Sequence, residues 1–157
     1  MNVITMGAHI LDVLVRPVTD IPPGQETALV EQTRMTVAGT AAGTALTFAK
    51  LGAAVSTAGA IGADPAGDLL VSLLDRAGVD TCLVVRKPDV PTSISVLPIR
   101  PNGERPSLDL LGANLAYTLD DIDWPPSQPK TTSISAVRRC SAPTSPPESC
   151  GTPRKTE

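Results

Sequence analysis

The composition of the chain changes near Trp124, and this change limits how much of the chain can fold. Residues 125–157 contain seven prolines and eleven Ser or Thr, and they lack Leu, Phe and Met. A segment so poor in large apolar side chains cannot bury enough surface to offset the entropy lost on ordering. The net charge also changes, from −6 over residues 1–124 to +3 over the rest. We therefore predict a folded region over 1–124 and a disordered Pro/Ser-rich tail over 125–157.

Strands and helices alternate in the predicted folded region. Apolar runs predict buried strands at 2–6, 54–61 and 81–85, and apolar residues at helical spacing predict two helices between them. The first helix is expected to begin at Gly39 and end near Gly52. The second is expected to follow the capping residue Asp64 and end at Gly78. This alternation predicts an α/β fold with a parallel sheet.

Further strands are expected outside that sheet. Residues 11–18 are a strand candidate interrupted by Pro17, and residues 26–37 mix β-branched and polar side chains, as in an exposed strand pair. Residues 92–99 and 105–111 flank Asn102-Gly103, and Asn-Gly between two such runs is a strong hairpin signal. We predict that these four segments form a small accessory sheet.

Charge and composition exclude several classes of partner. The chain has 13 Lys or Arg, 16 Asp or Glu and three aromatic residues, which argues against nucleic acid, anionic membranes and base stacking. Residues 37–62 carry only Lys50 as a charge, but they are mostly Ala, Gly, Thr and Ser, so a membrane span is rejected. The N-terminus lacks the basic-then-apolar layout of a secretory signal, and a cytoplasmic location is expected.

The cysteine content predicts neither a disulfide framework nor a metal site. Cys82, Cys140 and Cys150 are odd in number and are not spaced as zinc ligands, and the one histidine, His9, is distant in sequence. Cys82 lies in an apolar run and is expected in the core.

Four features are candidates for function, each with a structural alternative. Small residues over 37–45 leave backbone N–H groups at a helix start open to a ligand, or they allow close helix–sheet packing. Asp12 follows the first strand and either binds hydroxyls of a polyol or is a solvated or capping carboxylate. Asn114 is either a turn residue or a ligand contact. His9 has no evident partner acid and is expected to be a loop histidine with satisfied hydrogen bonds.

Taken together, these pieces resemble the N-terminal part of a ribokinase-like (PfkB family) carbohydrate kinase, from about Val3 to Trp124. The resemblance rests on motifs in a consistent order, of which the GxxGxDxxG block at 59–67 with the downstream Ala77-Gly78-Val79 is the most specific. The others are Gly7 with Asp12, Pro23-Gly24, the helix start at 38–45 followed by 50–53, Pro91-Thr92-Ser93, Asn102-Gly103-Glu104-Arg105 and Gly112-Ala113-Asn114.

The resemblance implies an incomplete ribokinase-like parallel sheet with helices and a small β lid, whose strands lie at about 11–37 and 92–111. Similar proteins use ATP and Mg²⁺ to phosphorylate a hydroxyl of a sugar or nucleoside. Their lid is often also a dimer surface, which implies a homodimer. By resemblance, the substrate-binding residues are Asp12, Gly39, Thr40, Gly43 and Asn114. The family usually has Asn where Gly43 stands and Gly where Ala38 stands, so one side-chain contact to the sugar is lost.

The catalytic half of such a kinase is not recognisable in the sequence. In the family, the catalytic Asp and the anion-hole glycines lie in a late GAGD-type motif, and no such motif occurs here. We therefore assign no catalytic, ATP-binding or metal-binding residue. The resemblance implies a kinase truncated before its ATP site and inactive as written. The alternatives are a non-catalytic fragment for sugar binding or dimerisation, and a non-functional product that folds poorly.

A frameshift near Trp124 is our hypothesis for the tail. With G/C-rich third codon positions, a shifted frame recodes residues 125–157 as a helix end, a strand-like HLHLGG and an amphipathic helix. That order is what should follow Trp124 in the family. The alternative is a genuine disordered Pro/Ser tail.

Overall fold

The computed structural model describes residues 2–121 and 131–136, which form two β-sheets, two α-helices and two short 3-10 helices. The 3-10 helices span Gly112–Ala116 and Leu119–Asp121. In chain order the other elements are β1 (Asn2–Gly7), β2 (Ile10–Arg16), β3 (Gln32–Ala38), α1 (Thr40–Lys50), β4 (Ala54–Gly62), α2 (Pro65–Arg76), β5 (Val79–Lys87), β6 (Ile94–Pro98), β7 (Leu108–Leu110) and β8 (Thr131–Ala136).

The main sheet has the order β5-β4-β1-β8, and every neighbouring pair in it is parallel. The central strand β4 is buried along most of its length, and α1 packs on β1 and β4. Buried alanines on one face of α1 allow this close approach: Ala41, Ala42 and Ala45. The predicted α/β fold with a parallel sheet is confirmed.

The second helix begins where the sequence predicts. The Asp64 carboxylate accepts a hydrogen bond from Gly67 N at 2.8 Å, and Pro65 occupies the first helical position. Leu70 and Leu74 are fully buried and join the same core cluster as Val3 and Val55 of the main sheet.

The second sheet is the predicted accessory sheet, which we call the lid, and it has the order β3-β2-β6-β7. β2 pairs antiparallel with β3 and parallel with β6, and β6 pairs antiparallel with β7. The base of the lid belongs to the hydrophobic core, because Leu11 and Val37 are buried with Leu70 and Leu74 of α2. The lid therefore joins the body at one end.

The GxxGxDxxG block forms a joint between α2 and the lid. Besides capping α2, Asp64 accepts hydrogen bonds from Thr92 N at 2.8 Å and Thr92 Oγ1 at 2.6 Å, and Thr92 leads into β6. Burial alone would raise the pKa of Asp64, but the hydrogen bonds from Thr92 and Gly67 outweigh it and hold the pKa below its ordinary value. A Cβ on Gly62 would lie 2.5 Å from Thr92 N, and one on Gly67 would lie 2.5 Å from Gly62 O. Only glycine permits this close approach.

The structure differs from the sequence prediction in β5 and before β3. In β5 only Val79 is buried, and Cys82, which was expected in the core, is exposed. The reason is position: β5 is an outer strand of the main sheet and pairs with β4 alone among the described strands. The first half of the predicted strand 26–37 is not a strand, since β3 begins at Gln32.

The predicted tail contains a described strand. β8 lies within 125–157 and pairs parallel with β1, from Asn2 opposite Thr131 to Gly7 opposite Ala136. The structure therefore differs from the expected tail over these six residues, because backbone pairing needs no large apolar side chain. Residues 122–130 and 137–157 lie outside the described residues. Trp124, Cys140 and Cys150 fall within these two ranges. In the described part, no helix is long and apolar enough to cross a membrane.

Replacing Asp64 with Ala is expected to lower the free energy of unfolding by about 3 kcal/mol, because hydrogen bonds to a charged group at a helix cap are lost. Asp68→Ala is the matched control. Asp68 is on the same helix, but its ion pair with Arg86 is exposed, so the expected change is below about 1 kcal/mol. Urea unfolding measures both values. Equal effects of the two substitutions would contradict the assigned role of Asp64.

Candidate functional site

Asp12 lies on β2, and the strand register places three polar residues in line with it. Thr36 on β3 and Ser95 on β6 both pair with Asp12, and Asp109 on β7 pairs with Ser95. Paired residues of neighbouring strands point to the same face of a sheet. Thr36, Asp12, Ser95 and Asp109 therefore form a row across one face of the lid, which we call the polar row.

The polar row combines two carboxylates, Asp12 and Asp109, with the hydroxyl groups of Thr36 and Ser95. Burial raises the pKa of Asp12, the nearby Asp109 raises it further, and Arg105 partly opposes both. Hydrogen bonds from Ser107 and Ser95 lower the pKa of Asp109, which is exposed. Because ionised carboxylates only accept hydrogen bonds, the row suits a ligand that offers several O–H groups.

Sequence reasoning found Asp12 but missed Thr36, Ser95 and Asp109. Each is a single polar residue within an alternating strand, and such residues are common on any solvated sheet face. The signal that could have found them is strand register, which depends on knowing how β2, β3, β6 and β7 pair.

The Gly39 turn brings the start of α1 against the β1–β2 turn. Gly39 has φ 95°, and a Cβ on it would lie 2.3 Å from Ala8 O. Ala8 O accepts hydrogen bonds from Ala41 N at 3.2 Å and Ala42 N at 3.4 Å, and Ala8 N donates to Thr40 Oγ1 at 3.3 Å. The expectation that these N–H groups are open to a ligand is therefore wrong for Ala41 and Ala42. The alternative, packing through small residues, is what the structure has there.

Gly43 lies one turn further along α1. Its backbone N donates to Gly39 O at 3.0 Å, and its carbonyl accepts from Thr47 Oγ1 at 3.0 Å. A Cβ added at Gly43 would meet no atom within 4 Å. The structure thus has room for a side chain or a ligand group at this point.

His9 is fully buried beneath the same turn. Its Nδ1 lies 3.0 Å from Gly7 O and its Nε2 lies 3.0 Å from Thr57 Oγ1, which accepts from Thr5 Oγ1 at 2.9 Å. Gly7 O can only accept, so we assign the ring proton to Nδ1, and Nε2 accepts from Thr57. Burial lowers the pKa of His9 to about 4, although the hydrogen bond to Gly7 opposes the shift. His9 is therefore a neutral loop histidine with satisfied hydrogen bonds, as predicted.

Asn114 also contacts the turn, through the backbone of His9. Asn114 Oδ1 accepts from His9 N at 2.9 Å, and Asn114 Nδ2 donates to His9 O at 2.9 Å. The structure thus gathers Gly39, Thr40 and Asn114 around the β1–β2 turn, and Asp12 lies on the strand that leaves it. Within residues 2–121 and 131–136, no group of three or more His, Cys, Asp or Glu side chains is placed to hold a metal ion.

Comparison with protein families gives one match over most of the chain. Residues 2–151 match the family model described as pfkB family carbohydrate kinase. This range includes the whole of both described sheets.

Solved structures with the same fold agree with this match. A ribokinase from Arabidopsis thaliana complexed with ribose and ATP is 25% identical, with a TM-score of 0.62 over 71% of this chain and 36% of that one. A fructokinase from Xylella fastidiosa is 26% identical, with a TM-score of 0.63 over 78% and 36%. A ribokinase from Cryptococcus neoformans in complex with ADP is 27% identical, with a TM-score of 0.58 over 71% and 35%. The chain therefore spans little more than a third of the length of these relatives.

The lowered pKa of His9 predicts that stability decreases on acidification. Unfolded His9 binds a proton below about pH 6.5 and folded His9 only below about pH 4, so the free energy of unfolding falls through that interval, by about 3 kcal/mol from His9 alone. His9 is the single histidine, so its ring NMR signal is unambiguous. We expect a titration midpoint near pH 4 in the folded protein and near 6.5 in urea. A folded midpoint near 6.5 would refute the buried neutral ring.

Proposed function

The chain belongs to the pfkB family of carbohydrate kinases, and from this premise we propose that it carries the sugar-binding side of such a kinase. In the proposed role, Asp12 binds hydroxyl groups of a sugar or nucleoside, one of which the intact kinases of the family phosphorylate with ATP. The observation that carries the proposal is the polar row, which sets Asp12 among further hydrogen-bonding groups on one face of the lid.

The electrostatics of the polar row favour an uncharged acceptor. At Asp12 the influence of the Asp109 carboxylate exceeds that of the Arg105 guanidinium. Hydroxyl donors gain from such a field, whereas a phosphate group on the acceptor would be repelled. We propose that the ligand is a sugar or nucleoside without a phosphate near the lid.

The remaining proposed contacts come from the start of α1. Gly39 and Thr40 lie beside the β1–β2 turn, and Gly43 offers room without a side chain. Since the family usually has Asn at the position of Gly43, we expect the sugar preference of this chain to differ from that of typical members.

ATP and Mg²⁺ belong to the intact family, and the described residues do not fit them. The N–H groups of Ala41 and Ala42, at the start of α1, already bond to Ala8 O, so they do not form an anion cradle. The described acidic residues also form no cluster suited to a metal ion.

We propose that the 157-residue chain binds a sugar without phosphorylating it. Phosphoryl transfer depends on positioning and charge stabilisation around ATP, and the GAGD-type motif that supplies them in the family is not in this sequence. A non-catalytic sugar-binding fragment is therefore the favoured alternative to a working kinase.

The lid face opposite the polar row supports a proposed homodimer. Val13 pairs with Met35 and Val96, and Val96 pairs with Leu108, which makes this face apolar. Met35 is 55% exposed and Leu108 is 64% exposed. Covering such a face with a second copy would remove apolar surface from water.

The frameshift hypothesis predicts a strand at the point of the chain where the structure has β8. In the recoded frame the strand-like HLHLGG falls at 132–137, and β8 spans Thr131–Ala136. The family match also continues to residue 151, well beyond Trp124. Both observations agree with a strand belonging at this point of the fold.

Sequencing the gene across the codons for Trp124 and Pro125 tests the frameshift. We expect the shifted frame to remain open and to encode a GAGD-type motif downstream. Early stop codons in that frame, or an open frame without the motif, would overturn the hypothesis and favour a genuine tail.

Calorimetry with the purified chain tests sugar binding. Ribose, fructose and adenosine are the neutral ligands, and ribose 5-phosphate is the charged comparison. We expect a neutral ligand to bind more tightly than the phosphate. Asp12→Asn should weaken binding at least about tenfold, because a hydrogen bond to a charged group contributes about 1.5–3 kcal/mol.

Asp89→Asn, which removes the same charge from an exposed turn, is the matched control and should leave binding unchanged. Each sugar is also incubated with ATP and Mg²⁺. Phosphorylated product would refute the proposed inactivity, and equal effects of the Asp12 and Asp89 variants would refute the proposed site.

A further inference from the structure

We propose that Asn114 is a positioning residue, which holds the β1–β2 turn so that Asp12 is set for sugar binding without Asn114 contacting the sugar. The inference rests on the proposed function for its ligand. It departs from the role that the sequence resemblance implies, a direct contact between Asn114 and the substrate.

The first observation is the clamp that Asn114 forms on His9. Its amide makes two hydrogen bonds of 2.9 Å, one to the N–H and one to the carbonyl of the same residue. His9 N can only donate and His9 O can only accept, so the orientation of the amide is unambiguous. Both polar atoms of the Asn114 side chain are thus engaged with the backbone two residues before Leu11.

The second observation is that the 3-10 helix of Asn114 also holds the base of β6. Ala113 N donates to Pro91 O at 2.8 Å, and Ser93 Oγ donates to Leu111 O at 2.5 Å. A Cβ on Gly112 would lie 2.2 Å from Pro91 O, so this approach requires glycine.

These contacts link the two lid strands that carry the centre of the polar row. Leu11 N donates to Ser93 O at 3.0 Å, and the next pair along these strands is Asp12 with Ser95. Asn114 therefore fixes the start of β2 on one side and, through its helix, the start of β6 on the other. Loosening this base would reduce the fraction of molecules in which Asp12 and Ser95 are aligned.

The substitution Asn114→Asp makes the two hydrogen bonds to His9 depend on pH. An ionised Asp can accept from His9 N, but it cannot donate to His9 O. A protonated Asp has one O–H donor and one carbonyl acceptor, and so restores both bonds. Asn114→Ala can restore neither at any pH.

The experiment measures sugar affinity of the full chain from pH 7.5 to 5.0, where His9 of the folded protein remains largely neutral because its pKa is about 4. Relative to the parent chain at each pH, Asn114→Asp should bind about tenfold more weakly at pH 7.5, as expected if the aligned state falls to about one-tenth. The deficit should shrink on acidification, because partial burial and the facing carbonyl of His9 should raise the pKa of the introduced carboxyl into this range. Asn114→Ala should keep its deficit throughout. Asn102→Asp is the matched control, an exposed turn residue whose Oδ1 accepts from Glu104 N, and it should show neither effect.

The NMR shift of the Asp12 backbone amide, recorded without sugar, separates this inference from the proposed function. We expect it to move in Asn114→Asp at pH 7.5 and to return towards the parent value at low pH. If the parent chain binds no sugar, the proposed function fails, and an unmoved Asp12 amide would independently refute the positioning role. If sugar binds but the Asn114→Asp deficit does not change with pH, Asn114 is a ligand contact and the inference is overturned. If neither variant folds at any pH, Asn114 is a general stability residue and the inference is overturned as well.

Discussion

The turn between β1 and β2 is the point on which the rest of the structure depends. Its polar groups bond to separate parts of the chain: Ala8 to the start of α1 and His9 to Thr57 and Asn114. The His9 ring occupies space that a Cβ on residue 59 would fill, since that atom would lie 2.2 Å from Nδ1. Buried backbone groups must find partners. This turn is therefore stable only when distant segments have assembled around it, one of them 105 residues away in sequence.

Two hydrogen-bonded joints attach the lid, and both lie at its base. One is Asp64 on Thr92, and the other is Asn114 on His9. Side-chain burial also differs between the base of the lid and its outer part. Leu11 at the base is 3% exposed, whereas Met35, two rows further out, is 55% exposed. Segments with few buried contacts open most easily. The lid thus has a fixed base and a more accessible outer part, and Asp12 lies at the boundary between them.

Local patterns predicted the elements well because their causes are local. The cap at Asp64, the small-residue face of α1 and the parallel sheet all follow from nearby residues. Register was not predictable in this way. A two-residue Asn102-Gly103 loop would set Ser95 opposite Leu110, whereas the observed hairpin sets it opposite Asp109. A slip of one residue moves a side chain to the other face of the sheet. The pairing of Asp109 with the site therefore could not be read from the turn motif, and neither could the exposure of Cys82 on an outer strand.

Under the proposed function, sugar binding and phosphoryl transfer place different demands on the protein. Burial and the nearby Asp109 carboxylate raise the pKa of Asp12, and hydroxyl donors would stabilise its ionised form by hydrogen bonding. The charged groups that act on Asp12 are Asp109 and Arg105, and both lie in the part of the chain that the structure describes. Phosphoryl transfer needs something different, an aligned ATP and stabilisation of the developing charge. The residues of the proposed sugar site therefore lie on the lid and its base, and a measurement of sugar affinity tests that proposal separately from a measurement of turnover.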